Sequence, residues 1–173
     1  GFEVAYQQFY DFLPGLLGNL GLQANYTFIK AKTTPPSNGA DADQDGNVDE
    51  SQTGVYRFAV DDMLGQSKHI ANVVGIYQDE KLEARLAYNW RSKYLTTYRD
   101  YVTGFPVFNS ASGTLDASLK YQFVPQLQAR ASIANILDAK SKARVQIDQA
   151  GTLYDRFSFL NDRRIVVGLL AQF

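Results

Sequence analysis

Leu82-Glu83-Ala84-Arg85-Leu86-Ala87-Tyr88-Asn89-Trp90-Arg91 alternates without a break. Successive side chains of an extended strand point to opposite sides, so Leu82, Ala84, Leu86, Tyr88 and Trp90 share one face and Glu83, Arg85, Ala87, Asn89 and Arg91 the other. One face is wholly apolar, while the opposite one holds two arginines and a glutamate.

The same period recurs outward from this stretch. Leu20, Leu22, Ala24, Tyr26 and Phe28 oppose Gly21, Gln23, Asn25 and Thr27; Leu115, Ala117, Leu119, Tyr121 and Phe123 oppose Asp116, Ser118, Lys120 and Gln122. Leu127, Ala129, Ala131 and Ile133 oppose Gln128, Arg130 and Ser132, and Ile165, Val167, Leu169, Ala171 and Phe173 oppose Arg164, Val166, Gly168, Leu170 and Gln172. Residues 2–12 alternate less cleanly, and 69–78 are apolar on both faces. The pattern predicts about seven strands, each near the roughly 9–11 residues that a tilted strand needs to cross a bilayer.

The predicted connections sort by length. Residues 12–19, 78–81 and 124–126 are short turns with Pro, Gly and Asp chemistry, whereas 32–66, 96–112 and 139–162 are long and polar. Short turns at one rim and long loops at the other are expected of an outer-membrane barrel. Aromatic residues gather near strand ends (Tyr26, Phe28, Tyr88, Trp90, Tyr94, Tyr121, Phe123), where interfacial girdles form. The competing reading makes them the core aromatics of a soluble β-sandwich.

Composition narrows the function. Hydrophobic residues make up 45% and aromatics 13%, with 11 Tyr and 11 Phe, yet mean hydropathy is only -0.27, which suits strands with one greasy and one polar face. A formal net charge of -1 without a basic cluster argues against a nucleic-acid partner. Absence of cysteine excludes disulfides and thiolate chemistry, and with His69 as the sole histidine, catalytic triads and zinc sites are not expected. The chain reads as no enzyme and needs no cofactor. It also lacks a signal peptide and opens inside a strand-like pattern, so it is expected to be a fragment whose N-terminal portion lies elsewhere.

The order of motifs is familiar. GFEVAYQQFYDFLPG (1–15) followed by LGLQANYTFI (20–29) resembles the late-barrel hairpin of TonB-dependent receptors. SKHIANVVGIYQDEKLEARLAYNWRSKYL (67–95), SGTLDASLKYQF (112–123) and ASIANILDAK (131–140) resemble the segments that follow in that family, and the chain closes with RRIVVGLLAQF (163–173). The resemblance implies an all-β fold, a transmembrane antiparallel β-barrel, of which residues 1–173 would be a C-terminal fragment of about seven strands out of about 22. It implies active import of a scarce nutrient (iron chelate, cobalamin or saccharide) across the outer membrane of a Gram-negative bacterium. Implied partners are the remainder of the barrel and its plug, the TonB complex, the barrel assembly machinery, lipid and lipopolysaccharide, and a small-molecule ligand. Phe173 resembles the terminal assembly signal of outer-membrane proteins.

Two further sets of residues carry candidate chemistry. Asp41, Asp43, Asp45 and Asp49 place carboxylates at alternate positions, with Asn47 between the last two offering its backbone carbonyl and Gly46 permitting a tight turn. Such a loop can wrap Ca2+, although the twelfth position is Gln52 where an EF-hand has Glu; the other reading is a solvated acidic loop. In the long loops, Tyr94, Tyr98, Tyr101 and Phe105 are candidates for stacking on a sugar or chelate. The polar-face charges Glu3, Glu83, Arg85, Arg91, Asp116, Lys120, Arg130 and Arg164 are expected to pair across strands, hold a plug, or touch substrate. The alternative functions are a passive porin or another outer-membrane barrel protein, such as a hydrolase, and a soluble carbohydrate-binding sandwich.

Overall fold

A computed structural model describes residues 1–33 and 60–172. Among the described residues eleven strands follow in order: β1 (Phe2–Phe9), β2 (Leu20–Phe28), β3 (His69–Gln78), β4 (Leu82–Arg91), β5 (Tyr94–Thr97), β6 (Val107–Asn109), β7 (Ser112–Val124), β8 (Leu127–Ala134), β9 (Ser141–Gln146), β10 (Leu153–Phe159) and β11 (Arg164–Ala171). The protein is all-β, built from antiparallel sheets. Seven strands form one sheet in the order β1-β2-β3-β4-β7-β8-β11, and four form a smaller one, β10-β9-β6-β5.

Each of the seven alternating segments is a strand of the large sheet, and each pairs with its neighbour along the chain once the inserted β5–β6 and β9–β10 are set aside. Local chemistry explains the short turns. Asp79 Oδ1 accepts the backbone N–H groups of Lys81 and Leu82, both at 2.8 Å, closing the β3–β4 turn. Those two backbone bonds, Lys81's first, hold the Asp79 carboxyl below its ordinary range. Between β7 and β8, Gln122 Nε2 donates to the carbonyls of Val124 (2.7 Å) and Pro125 (3.2 Å). The β1–β2 connection is a short 3-10 helix, Gly15–Asn19, entered at Gly15 with φ +61°.

Register carries one face across the whole sheet. Gln8, Leu22, Gly75, Leu86, Ala117, Ile133 and Ile165 lie opposite one another in turn, as do Leu20, Tyr77, Ala84, Leu119, Ala131 and Val167. Directly opposed residues share a face, so the apolar sides of seven strands merge into one surface. That surface is uncovered: Leu86 is 50% exposed, Leu119 45% and Val167 75%. Trp90 and Gly113 are directly opposed on it, and the Tyr88 ring lies over Gly113, where a Cβ would overlap the tyrosine hydroxyl.

The sheet also slips in one direction across its seven strands. Gln8 stands six positions after Phe2, which begins β1, but Ile165, at the far end of the same register row, stands one position after Arg164, which begins β11. The slip is about five residues over six interstrand steps, which at about 3.3 Å per residue and about 4.8 Å per step inclines the line of strand ends by about 30°.

The long connections are more ordered than their polarity suggests. β5 and β6 lie within 96–112 and its approach, β9 and β10 within 139–162, and β6 pairs with β9, joining the two connections into the four-stranded sheet. This unit holds most of the buried apolar side chains, with Leu95 fully buried and Val107, Phe108 and Ala143 nearly so.

Candidate functional site

The polar face of the large sheet divides into two bands. Across β1 to β4 it is largely neutral: Asn25, Asn72 and Asn89 stand in direct register, and Asn72 Nδ2 donates to Asn25 Oδ1 at 2.6 Å. Gln7, Gln23, Asn25 and Asn72 line a hollow of about 470 Å³. From β4 to β11 the face is charged. Glu83 and Lys120 are opposed, and the Lys120 ammonium donates to both Glu83 oxygens at 2.9 Å, so the expected cross-strand pairing is met there. Arg130 Nε donates to Gln128 Oε1 at 2.5 Å.

Arg91 turns away from the sheet to brace the rim. Its Nε donates to Ser67 Oγ and its Nη2 to the Gly65 carbonyl, each at 2.8 Å, while the guanidinium lies 3.8 Å above the Tyr94 ring. Ser67, 1% exposed, donates its own hydroxyl to the Ser92 carbonyl at 2.8 Å. A buried hydroxyl that both donates and accepts is fully used. The sequence offered no signal for this clamp, because Ser67 precedes the segment 69–78 and Arg91 ends the segment 82–91, so no period relates them.

A second polar node sits where β8 ends. Asn135 and Asp138 both take left-handed backbone, φ 56° and 53°, which Asn and Asp tolerate best among side-chain-bearing residues. The Asn135 side chain donates to the carbonyls of Ala139 (3.2 Å) and Asn161 (2.5 Å) and accepts from the Ala139 N–H (2.8 Å). Its backbone N–H donates to Asp116 Oδ1 at 2.8 Å. One buried residue thus ties β7 to both ends of the β9–β10 insertion.

The two insertions are also joined by charge. Arg156 of β10 lies 2.6 Å from Asp100, in the β5–β6 connection, whose side chain is only 12% exposed. Desolvation, the largest single influence, pushes the Asp100 carboxyl up. Hydrogen bonds from Thr103 and Val102 and the Arg156 charge together outweigh it and leave the carboxyl below its ordinary range. Arg144 Nε lies 2.8 Å from Asp155 Oδ1 without hydrogen-bond geometry, and Arg144 Nη2 donates to the Leu153 carbonyl at 3.0 Å.

The aromatic candidates occupy different settings. Tyr94 is half-buried in β5 beneath Arg91, and its hydroxyl accepts from Asn109 Nδ2 at 2.7 Å. The Tyr98 hydroxyl donates to the Asp62 carbonyl at 3.0 Å. Tyr101 stands 77% exposed at the tip of the connection, and Phe105, four residues on, is half-buried. Tyr94 and Tyr98 thus have structural partners, and Tyr101 projects outward. His69 begins β3 on the apolar face, where its Nδ1 meets the Tyr26 hydroxyl at 2.6 Å and its ring packs on Phe28. The acidic residues Asp41, Asp43, Asp45, Asn47 and Asp49, and the terminal Phe173, lie outside the described residues. Among the described residues, no group of three or more His, Asp or Glu side chains could hold a metal ion.

Compared with protein-family models, curated proteins and solved structures, the chain matches none.

Proposed function

We propose that this chain forms part of the wall and outer loops of a TonB-dependent receptor, an outer-membrane β-barrel that actively imports a scarce nutrient. The observation that carries the reading is the uncovered apolar face. Seven strands present one continuous apolar surface, while their opposite sides are mostly amide, hydroxyl and charged. In water such a patch far exceeds what a monomeric protein exposes. The four-stranded sheet packs Leu95, Val107, Phe108 and Ala143 into a core of its own and leaves Leu86, Leu119 and Val167 bare. Lipid against this face satisfies it, and the polar face then lines a lumen.

Three further features support the barrel. Among the described residues, inserted strands occur at one rim, at the β4–β7 and β8–β11 connections, whereas at the other rim β3–β4 and β7–β8 close in tight turns and β1–β2 through a short 3-10 helix. The incline of about 30° approaches the roughly 35–45° of closed barrels. The edges β1 and β11 have no partner among the described residues, and unpaired backbone groups in lipid cost several kcal/mol each, so further strands must complete the wall. Energy coupling through TonB rests on the succession of motifs in the sequence.

The test is uptake. The complete polypeptide, expressed in a Gram-negative host, should fractionate with the outer membrane, require detergent for extraction, and import its nutrient only when TonB is present. Uptake that persists without TonB would mark a passive porin. Recovery as a water-soluble protein without detergent would overturn the membrane assignment.

A further inference from the structure

The charged band of the polar face contains a hollow of about 340 Å³ that the features described so far leave unused. Arg85 of β4 and Arg164 of β11 both line it, with Ser118 of β7 and Ser132 of β8 between them. Register explains the convergence: Arg85 is opposed to Ser118, Ser118 to Ser132, and Arg164 begins β11 beside Ala134. Residues 85 and 164 are far apart in sequence, but the strand order sets them three steps apart, about 14 Å across the strands, with Arg164 two positions along β11 from Val166, the residue in register with Arg85.

The two guanidiniums are uncompensated. Arg91, Arg130, Arg144 and Arg156 are each engaged by a carboxylate, carbonyl, hydroxyl or amide oxygen. Neither Arg85 nor Arg164 has an ion-pair or hydrogen-bond partner among the described residues. Asp116 is the one acid lining the hollow, and its Oδ1 already accepts the Asn135 N–H. Two positive charges therefore face one partly engaged carboxylate. Ala87 and Ala134, also in the lining, keep the space open.

We propose that this hollow binds an oxyanion, the carboxylate or phosphate group of a small molecule. Each guanidinium offers a planar fork of donors that matches the paired oxygens of such groups, and the Ser118 and Ser132 hydroxyls donate from the floor between them. The volume lies at the lower end of small-molecule sites, about 300–1,000 Å³, and so admits an organic acid or phosphorylated compound rather than a bare ion alone. The inference requires only the polar face and holds whatever covers the apolar one.

Calorimetric titration of the folded full-length polypeptide with citrate and, separately, inorganic phosphate tests it. Saturable binding of at least one probe is expected, and the tighter one identifies carboxylate or phosphate as the group recognised. Arg85→Gln and Arg164→Gln should each weaken binding at least tenfold, with Arg85→Lys intermediate because it keeps the charge and loses the fork. Arg130→Gln, also on this face but bonded to Gln128, should bind as the native protein does. Ala87→Leu fills the hollow without changing a charge and should abolish binding, which keeps the test decisive if the arginine variants fold poorly. Absence of saturable binding by either probe, or equal weakening by Arg130→Gln and Arg85→Gln, overturns the proposal.

Discussion

Replacing Leu86 with Arg measures directly what lies against the apolar face. Leu86 is the fifth of ten residues in β4, near mid-strand, and its direct neighbours on that face are Gly75 and Ala117. Nothing there could pair with a guanidinium. If the face meets lipid, an arginine near the bilayer midplane costs about 2–4 kcal/mol, roughly 30- to 900-fold in the unfolding equilibrium. If it meets water, a half-exposed substitution of this kind changes stability by no more than about 0.5 kcal/mol. Asn89→Arg, three residues on but facing the polar side, is the matched control and should stay within about 0.5 kcal/mol of native. The assay is urea unfolding of the complete polypeptide reconstituted in vesicles, followed by far-UV circular dichroism and extrapolated to water. Equal stabilities for Leu86→Arg and Asn89→Arg would refute lipid exposure, since the two sites differ chiefly in the face they occupy.

Three other outcomes follow from the same structure. Trp90 lies on the apolar face, close to the long-connection rim, and is the sole tryptophan of these 173 residues; with it as the only tryptophan of the reconstituted protein, lipids brominated near the headgroup should quench it more than lipids brominated at the chain terminus. Asn135→Ala loses three side-chain hydrogen bonds and puts alanine, which tolerates left-handed backbone less well than asparagine, at φ 56°, so a loss of about 2–4 kcal/mol is expected by urea unfolding, with Asn135→Gly losing less because glycine removes the backbone strain. The folded Asp100 carboxyl titrates below its unfolded value of about 3.9, so its stabilising link to Arg156 is complete above that value and is lost as pH falls through the lower folded value. Calorimetric melting should therefore be flat for this contribution between pH 7 and pH 5 and fall below about pH 4, a step that Asp100→Asn diminishes.

The seven strands of the large sheet were legible because each alternates long enough for a period of two to stand out, and because burial or lipid contact on one face ties that period to register. Even β3, apolar on both faces, fits: Val73 and Tyr77 join the common apolar surface, while Ile76 is buried on the polar side in register with Gly21 and Arg85. The strands within the long connections were not legible. Tyr94–Thr97 and Val107–Asn109 have four and three residues, too few for a periodic signal, and Ser141–Gln146 reads as a polar stretch. Their sheet depends on β6 meeting β9, a pairing between insertions that only the folded large sheet brings together. The oxyanion hollow was hidden for the same reason. Arg85 and Arg164 were each assigned to the polar face, but their convergence over Ser118 and Ser132 is a property of strand order and register.

Soluble sheets protect their outer strands with lysine, proline, bulges or covering loops, because an open row of backbone donors and acceptors invites pairing with other chains. Neither edge of the large sheet is protected in this way. β11 reads Arg-Ile-Val-Val-Gly-Leu-Leu-Ala, β1 reads Phe-Glu-Val-Ala-Tyr-Gln-Gln-Phe, both run in unbroken register with a single neighbour, and every residue of both is exposed. As termini of a soluble sheet these strands would aggregate. As consecutive staves of a wall that slips nearly one residue per strand, they are surfaces that the next strands cover, and closure removes the edge altogether. The bare edges and the bare apolar face therefore pose one physical problem, which a closed barrel in lipid solves on both counts and which a second sheet packed over the apolar face would solve on only one.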